Sequence, residues 1–200
     1  MIELADIVGD FAASMERVDA RRPIAVNVRT KQPYQPGVGP HTEAQTVRLV
    51  ATDMLATSPE RYAQGIALEV SYPAYRRKKC DLCIGEEPIW QWAIEVKMFR
   101  LMGDNGKLND NLMSHILSPY PGQRSAVTDT TKLLASGLRA RKAILIYGYD
   151  YPDWPMDPGI DAFELIAQSL AELGERYEAS VTGLVHPVHQ RGRVFAWEIA

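Results

Sequence analysis

The segment Lys142-Ala143-Ile144-Leu145-Ile146-Tyr147 constrains this chain more than any other. After Lys142 it is an unbroken apolar run without amphipathic alternation. Such a run predicts a strand in a sheet covered on both faces. The remaining pattern must then supply the covering layers.

Helical periodicity does supply them. Leu4, Ile7, Val8, Phe11, Met15 and Val18 recur at helical spacing across residues 2–18. Thr42 is a good N-cap for a second helix ending near Ala56, with Val47, Val50 and Met54 as its apolar stripe. Glu43 falls at the N-terminal end of that buried face. Residues 126–138 and 161–177 read as two more helices, and 112–117 as a short one within a long irregular stretch. Strand signals fall at 65–71, 79–85 and 89–98, with Glu86-Glu87-Pro88 turning the second into the third. A short strand is expected at 22–28. Two final strands are expected at 181–185 and 194–199, across a turn near Gly192. The fold class is α/β: helix, three-stranded meander, helix and strand, with an added N-terminal helix and a C-terminal helix plus hairpin. At 200 residues, with no repeat or linker, residues 1–200 read as a single domain.

Charge is uneven. The net charge is −3, which argues against a domain that is basic throughout. Yet Arg76-Arg77-Lys78-Lys79 is a dense basic run, and Arg139, Arg141 and Lys142 form a second cluster. Either can be a solvated surface or a grip on phosphate. No run of 18 apolar residues is present, so no transmembrane helix is expected. The acidic start, Met1 to Asp6, lacks the pattern of a secretory signal, and a cytoplasmic location is expected. Cys80 and Cys83 have C-x-x-C spacing, but residues three apart on a strand face opposite ways. Their thiols are therefore expected to diverge and to serve as small apolar fillers rather than zinc ligands. His115, His186 and His189 have no partners at a recognisable metal spacing. Trp90 and Trp92 read as core or interface residues. The Tyr149–Pro155 stretch reads as a dimer surface or a substrate lip.

The chemistry concentrates in two neighbouring strands. Asp81 sits in one, and Glu95 and Lys97 sit in its hairpin partner. Glu95 and Lys97 are two apart and share a face, while Ile94, Val96 and Met98 point into the core. Two carboxylates and an ammonium on one sheet face suit a magnesium ion that keeps its waters and binds phosphate. The plain alternative is a cross-strand ion pair. Apolar neighbours on both sides make a solvated pair less natural here.

Asp81 followed, after a turn, by Glu95-Val96-Lys97 resembles the PD-(D/E)XK nuclease superfamily, and the element order over residues 42–147 resembles that superfamily's restriction-endonuclease-like core. Cys80 stands where the motif's name has proline. The resemblance covers about half of the chain. It implies that Asp81 and Glu95 bind magnesium, with manganese as a substitute, together with the Val96 carbonyl. It implies that Glu43 supports the metal and that Lys97 assists the attacking water. It implies a phosphodiester substrate, expected to be DNA. Arg76, Arg77, Lys78 and Lys79 would grip its backbone. Ser125, Asp129 and Lys132, at one-turn spacing on the following helix, could line the cleft or stand as solvated polar positions. Cutting both strands would favour a homodimer. Two other readings stand beside the nuclease: a non-catalytic nucleic-acid-binding or assembly protein on the same fold, and a magnesium-dependent hydrolase of another phosphate ester.

Overall fold

The apolar run lies at the centre of a six-stranded sheet in the computed structural model, which describes residues 1–109, 113–120 and 122–200. In chain order the elements are α1 (Leu4–Ala20), α2 (Glu43–Thr57), β1 (Ile66–Ser71), β2 (Lys79–Glu86), β3 (Ile89–Phe99), α3 (Ser114–Leu117), α4 (Ala126–Leu134), β4 (Arg139–Tyr149), α5 (Asp157–Ala167), β5 (Tyr177–Val181) and β6 (Gly192–Ile199). The sheet order is β1-β2-β3-β4-β6-β5. β3 and β4 run parallel, and every other neighbouring pair is antiparallel. The fold is therefore a mixed α/β open sheet with five helices among the described residues. None of these helices is long and apolar enough to cross a membrane.

Strand parity assigns the layers. Phe11 of α1 meets Tyr147 at 5.6 Å between ring centroids, and Tyr147 pairs in register with Met98. On the opposite face, Phe163 of α5 meets Trp197 at 5.1 Å, and α4 packs on the side of Glu95 and Lys97. The sheet thus separates α1 and α2 from α4 and α5. Ala143 to Tyr147 are all completely buried, as a doubly covered strand requires. Trp92 is fully buried and Trp90 nearly so, so both are core residues. Thr42 caps α2 in a full capping box with Gln45.

Several boundaries differ from the sequence pattern. Residues 22–28 form no strand. Val26 makes only an isolated bridge to Pro33, and Ile24, Val26 and Val28 are exposed, so their apolar alternation has no sheet to join. The late helix is α5, which starts earlier than 161 because Pro158 suits a first turn. It also ends before the predicted 177. β5 occupies 177–181 rather than 181–185, because it is Tyr177 to Val181 that pair with β6. The connection to β6 is therefore a ten-residue loop, 182–191, and not a tight turn near Gly192. α4 stops at Leu134, and Gly137, at φ 77°, takes the left-handed conformation that frees the chain to enter β4. The short helix begins at Ser114; Leu112 lies outside the described residues.

The two thiols do not diverge. Both are fully buried, Cys80 Sγ reaches back to the Leu82 carbonyl at 3.5 Å, and a hydrogen bond with Cys80 is the main reason, ahead of burial, that the Cys83 thiol is pushed up. β2 has no β3 partner before Leu82, and there Cys80 Sγ donates to the Ile94 carbonyl at 3.3 Å. No third ligand joins the thiols among the described residues.

Candidate active site

The site exists because β2 and β3 part company. Their antiparallel ladder runs from Glu86–Ile89 to Leu82–Ile94 and stops there. From Glu95 to Phe99, β3 is paired to β4 on one edge only. The other edge presents the N–H groups of Val96 and Met98. Each is met by a carboxylate: Asp81 Oδ2 accepts from Val96 N at 2.9 Å, and Glu43 Oε2 accepts from Met98 N at 2.6 Å. A strand residue sends its N–H and C=O to the same edge, so the Val96 carbonyl faces this gap as well. β1 is irregular at the same level. Glu69, opposite Asp81, drops out of the ladder and takes φ 54°.

Glu43 reaches the gap because Thr42 fixes where α2 starts. Asp81 and Glu43 line one cavity with Ala44, Val47, Arg48, Leu68 and Glu69. Its volume is about 60 Å³, room for an ion with a few waters. Burial pushes the Asp81 carboxyl up to about 6, against the pull of the Val96 N–H and Lys97, with Glu43 and Asp129 raising it further.

Behind the gap, on the α4 side, lies a buried chain of alternating charge. Lys97 Nζ stands 3.4 Å from Glu43 Oε1 and 2.8 Å from Asp129 Oδ2. Asp129 Oδ1 holds Lys132 Nζ at 2.5 Å, and Lys132 reaches Glu95 Oε1 at 2.9 Å. The Tyr72 hydroxyl also donates to Glu95 Oε1. Glu95 is 2 % exposed. Burial, and then Asp129, raise its carboxyl well above the ordinary range, opposed by Lys132 and Lys97. Burial would depress the Lys97 ammonium, but Glu43, Asp129 and Asp81 together raise it. Lys97 is therefore a fixed cation and not a proton acceptor near neutral pH.

The structure thus brings Asp81, Glu43, Lys97 and Glu95 into one neighbourhood. It splits them into a cavity-facing pair, Asp81 and Glu43, and an ion-paired Glu95 behind. Asp129 and Lys132 belong to the buried chain and are not solvated. Ser125 is fully buried: it caps α4 by accepting the Thr128 N–H at 3.1 Å and donates to the Ser118 carbonyl at 2.5 Å, so it does not line the cleft. Arg76, Arg77, Lys78 and Lys79 are all exposed; the first three lie on the loop between β1 and β2, which begins with Tyr72, the partner of Glu95, and Lys79 opens β2. Arg139 is exposed, but Arg141 and Lys142 are committed elsewhere. Arg141 pairs with Glu198 and Glu3 and covers the Trp92 ring, and Lys142 donates to the Leu134 carbonyl. That second basic cluster is structural, because the sheet places its acids beside it. Tyr72 was invisible in the sequence, since nothing local links it to residue 95.

A second polar cluster also escaped the sequence pattern. His186 and His189 are fully buried with rings 4.6 Å apart, and Asp104 lies 3.1 Å from His189 Nε2. The three can bring ligand atoms within 4.8 Å of one another. The Tyr151 hydroxyl meets His189 Nδ1 at 2.8 Å. The Val188 and His189 N–H groups donate to His186 Nδ1 at 3.2 and 3.4 Å. Those bonds leave the neutral His186 proton on Nε2, a buried donor rather than a lone pair. The histidines have partners after all, contributed by loops distant in sequence. Tyr149 and Tyr151 are buried in the same region, so within the 149–155 stretch only the later residues, such as Trp154, are open to solvent.

Comparison with known proteins finds no matching family model, no matching curated protein and no matching solved structure.

Proposed function

We propose that this chain is a magnesium-dependent nuclease that hydrolyses phosphodiester bonds, with DNA as its substrate. The observation that carries the reading is the free edge of β3, where Asp81 and Glu43 accept its backbone N–H groups and line one small cavity, with Lys97 beside Glu43. The resemblance of Asp81 and Glu95-Val96-Lys97 to the PD-(D/E)XK pattern supports it. So does the passage from the meander β1-β2-β3 through α4 to β4, the element order of the restriction-endonuclease-like core.

The residues fit a magnesium ion on chemical grounds. All candidate ligands are hard oxygens. Asp81, Glu43 and Glu69 line the cavity with Arg48 as its one lining cation, and Lys97 is shared with the buried Asp129, which leaves negative charge for a divalent cation to balance. The raised Asp81 carboxyl has the same origin, burial beside other acids. Bound there, magnesium would polarise a phosphoryl oxygen and lower the pKa of its water. Asp81, Glu43 and the Val96 carbonyl would hold it. Lys97, fixed as an ammonium, supplies positive charge where the phosphoryl group becomes more negative. The exposed Arg76–Lys79 run gives the polyanion a non-specific grip.

The deciding experiment is cleavage of supercoiled plasmid, linear duplex and single-stranded DNA with magnesium or manganese, beside Lys97→Ala. Metal-dependent cutting that the variant loses supports the reading. Equal cutting by the variant, or none by the native chain on any substrate, overturns it.

A further inference from the structure

Among the described residues, Asp129 is the one carboxylate that touches both lysines. Its Oδ2 holds Lys97 at 2.8 Å and its Oδ1 holds Lys132 at 2.5 Å. Each lysine then reaches a different candidate site carboxylate, Glu43 at 3.4 Å and Glu95 at 2.9 Å. Asp129 is 3 % exposed, so substrate cannot reach it directly. We propose that Asp129 is the positioning residue of this centre: it orients Lys97 toward the Glu43 edge and Lys132 toward Glu95, and thereby holds Lys97 where a phosphodiester would meet it. This rests on the nuclease reading for its functional consequence but not for its geometry.

The argument is one of position and rigidity. A lysine side chain has four rotatable bonds and a compact charge, so it holds one direction only where partners fix it. Lys97 comes from the sheet, and its partner Glu43 comes from the far layer at a longer distance. Asp129 comes from α4, whose start is fixed by the Ser125–Thr128 capping box. Ala126, Val127, Thr130 and Leu133 bury the inner face of the same helix. Its carboxylate is therefore a rigid reference point. Lys132 is one turn further on, and its side chain lies over the Tyr72 ring at 5.7 Å, which narrows its freedom further. Removing Asp129's charge while keeping its shape should release both ammoniums without emptying the core.

The test compares native protein with Asp129→Asn and Asp129→Glu, using two readouts on the full chain. The first is NMR of lysine-labelled protein, in which buried, paired ammoniums exchange slowly with water; Lys97→Met and Lys132→Met assign the two signals. Native protein should show both signals. Asp129→Asn, with its amide spectrum otherwise native-like, should lose them, and Asp129→Glu should restore them in part. The second is kcat and KM for cleavage of a short duplex. Asp129→Asn should lower kcat roughly 100-fold while KM stays nearly constant, as misplacement of a reacting-site group does. If Asp129→Asn does not fold, Asp129→Glu carries the same comparison, with slow exchange retained and kcat reduced. Persistence of both signals in folded Asp129→Asn, or an unchanged kcat, overturns the proposal. Loss of the signals in a chain whose native form cuts no substrate leaves Asp129 as the lysines' anchor and removes the nuclease reading instead.

Discussion

Asp81 accepts the Val96 N–H at 2.9 Å, so a side-chain oxygen stands where the carbonyl of a neighbouring strand would stand in an unbroken ladder. Glu43 does the same for Met98 at 2.6 Å. Two acids thus satisfy the backbone that the parting of β2 and β3 exposes. The same displacement that creates the cavity also aims the carboxylates into it.

Because Asp81 has both a backbone role and a proposed metal role, two substitutions separate them. Asp81→Asn keeps an oxygen to accept the Val96 N–H and removes a buried charge, so metal-free urea unfolding near neutral pH should show no loss of stability. Magnesium affinity by calorimetry should fall more than about 100-fold, beyond what loss of an outer-shell partner brings. Asp81→Ala should also lose roughly 1–3 kcal/mol of stability by orphaning that N–H. Native-like magnesium binding in Asp81→Asn would remove this residue from the metal site.

Lys97 lies between Glu43 and Asp129 with its side chain 10 % exposed. Lys97→Met leaves those carboxylates without their shared cation and should destabilise the fold by about 3 kcal/mol, as breaking a buried pair does. Chemical denaturation measures this. Because the surrounding acids raise the Lys97 ammonium, it stays charged through neutral and mildly alkaline pH. The cleavage rate between about pH 7 and 10 should therefore show no step that disappears in Lys97→Arg.

The acid side of the pH profile follows from Asp81. Its carboxyl rises from 3.8 to about 6 on folding, so the folded chain binds this proton more tightly than the unfolded chain. The associated stability is fully present below about pH 4 and is lost as pH rises through 6. Other acids, such as Glu164 and Glu198 beside their arginines, are lowered and act in the opposite direction, so the prediction concerns a difference. Melting temperatures of native protein relative to Asp81→Asn should fall between pH 4 and 6 without metal. Added magnesium should restore native stability only above that window. A flat difference across the range contradicts the shift.

Asp19, at the end of α1, accepts the Val38 N–H at 2.8 Å and the Val185 N–H at 2.6 Å. It is 1 % exposed and ties together two loops that have no ladder of their own. Asp19→Ala should cost about 3 kcal/mol, since two buried donors lose their acceptor. Hydrogen exchange at Val38 and Val185 should accelerate with it. Unchanged exchange at both would show that the loops are held elsewhere.

Local pattern was enough wherever a segment's neighbours decide its conformation. The period-3.6 stripes of α1 and α2, the Thr42 cap, the alternation in β1 and the unbroken apolar run of β4 each specify an element and its buried face. The shared face of Glu95 and Lys97 was legible because strand parity fixes which side chains on one strand point the same way. Tertiary structure decided what parity cannot: that β2 and β3 separate after Leu82, that Glu95 turns to Lys132 and Tyr72 while Asp81 turns to Val96, and that Asp129 bridges two lysines. It also drew Asp104, His186 and His189 together from separate loops and neutralised Arg141 with Glu198. Sequence spacing encodes direction along one element; charge pairing and burial depend on which elements the sheet order places side by side.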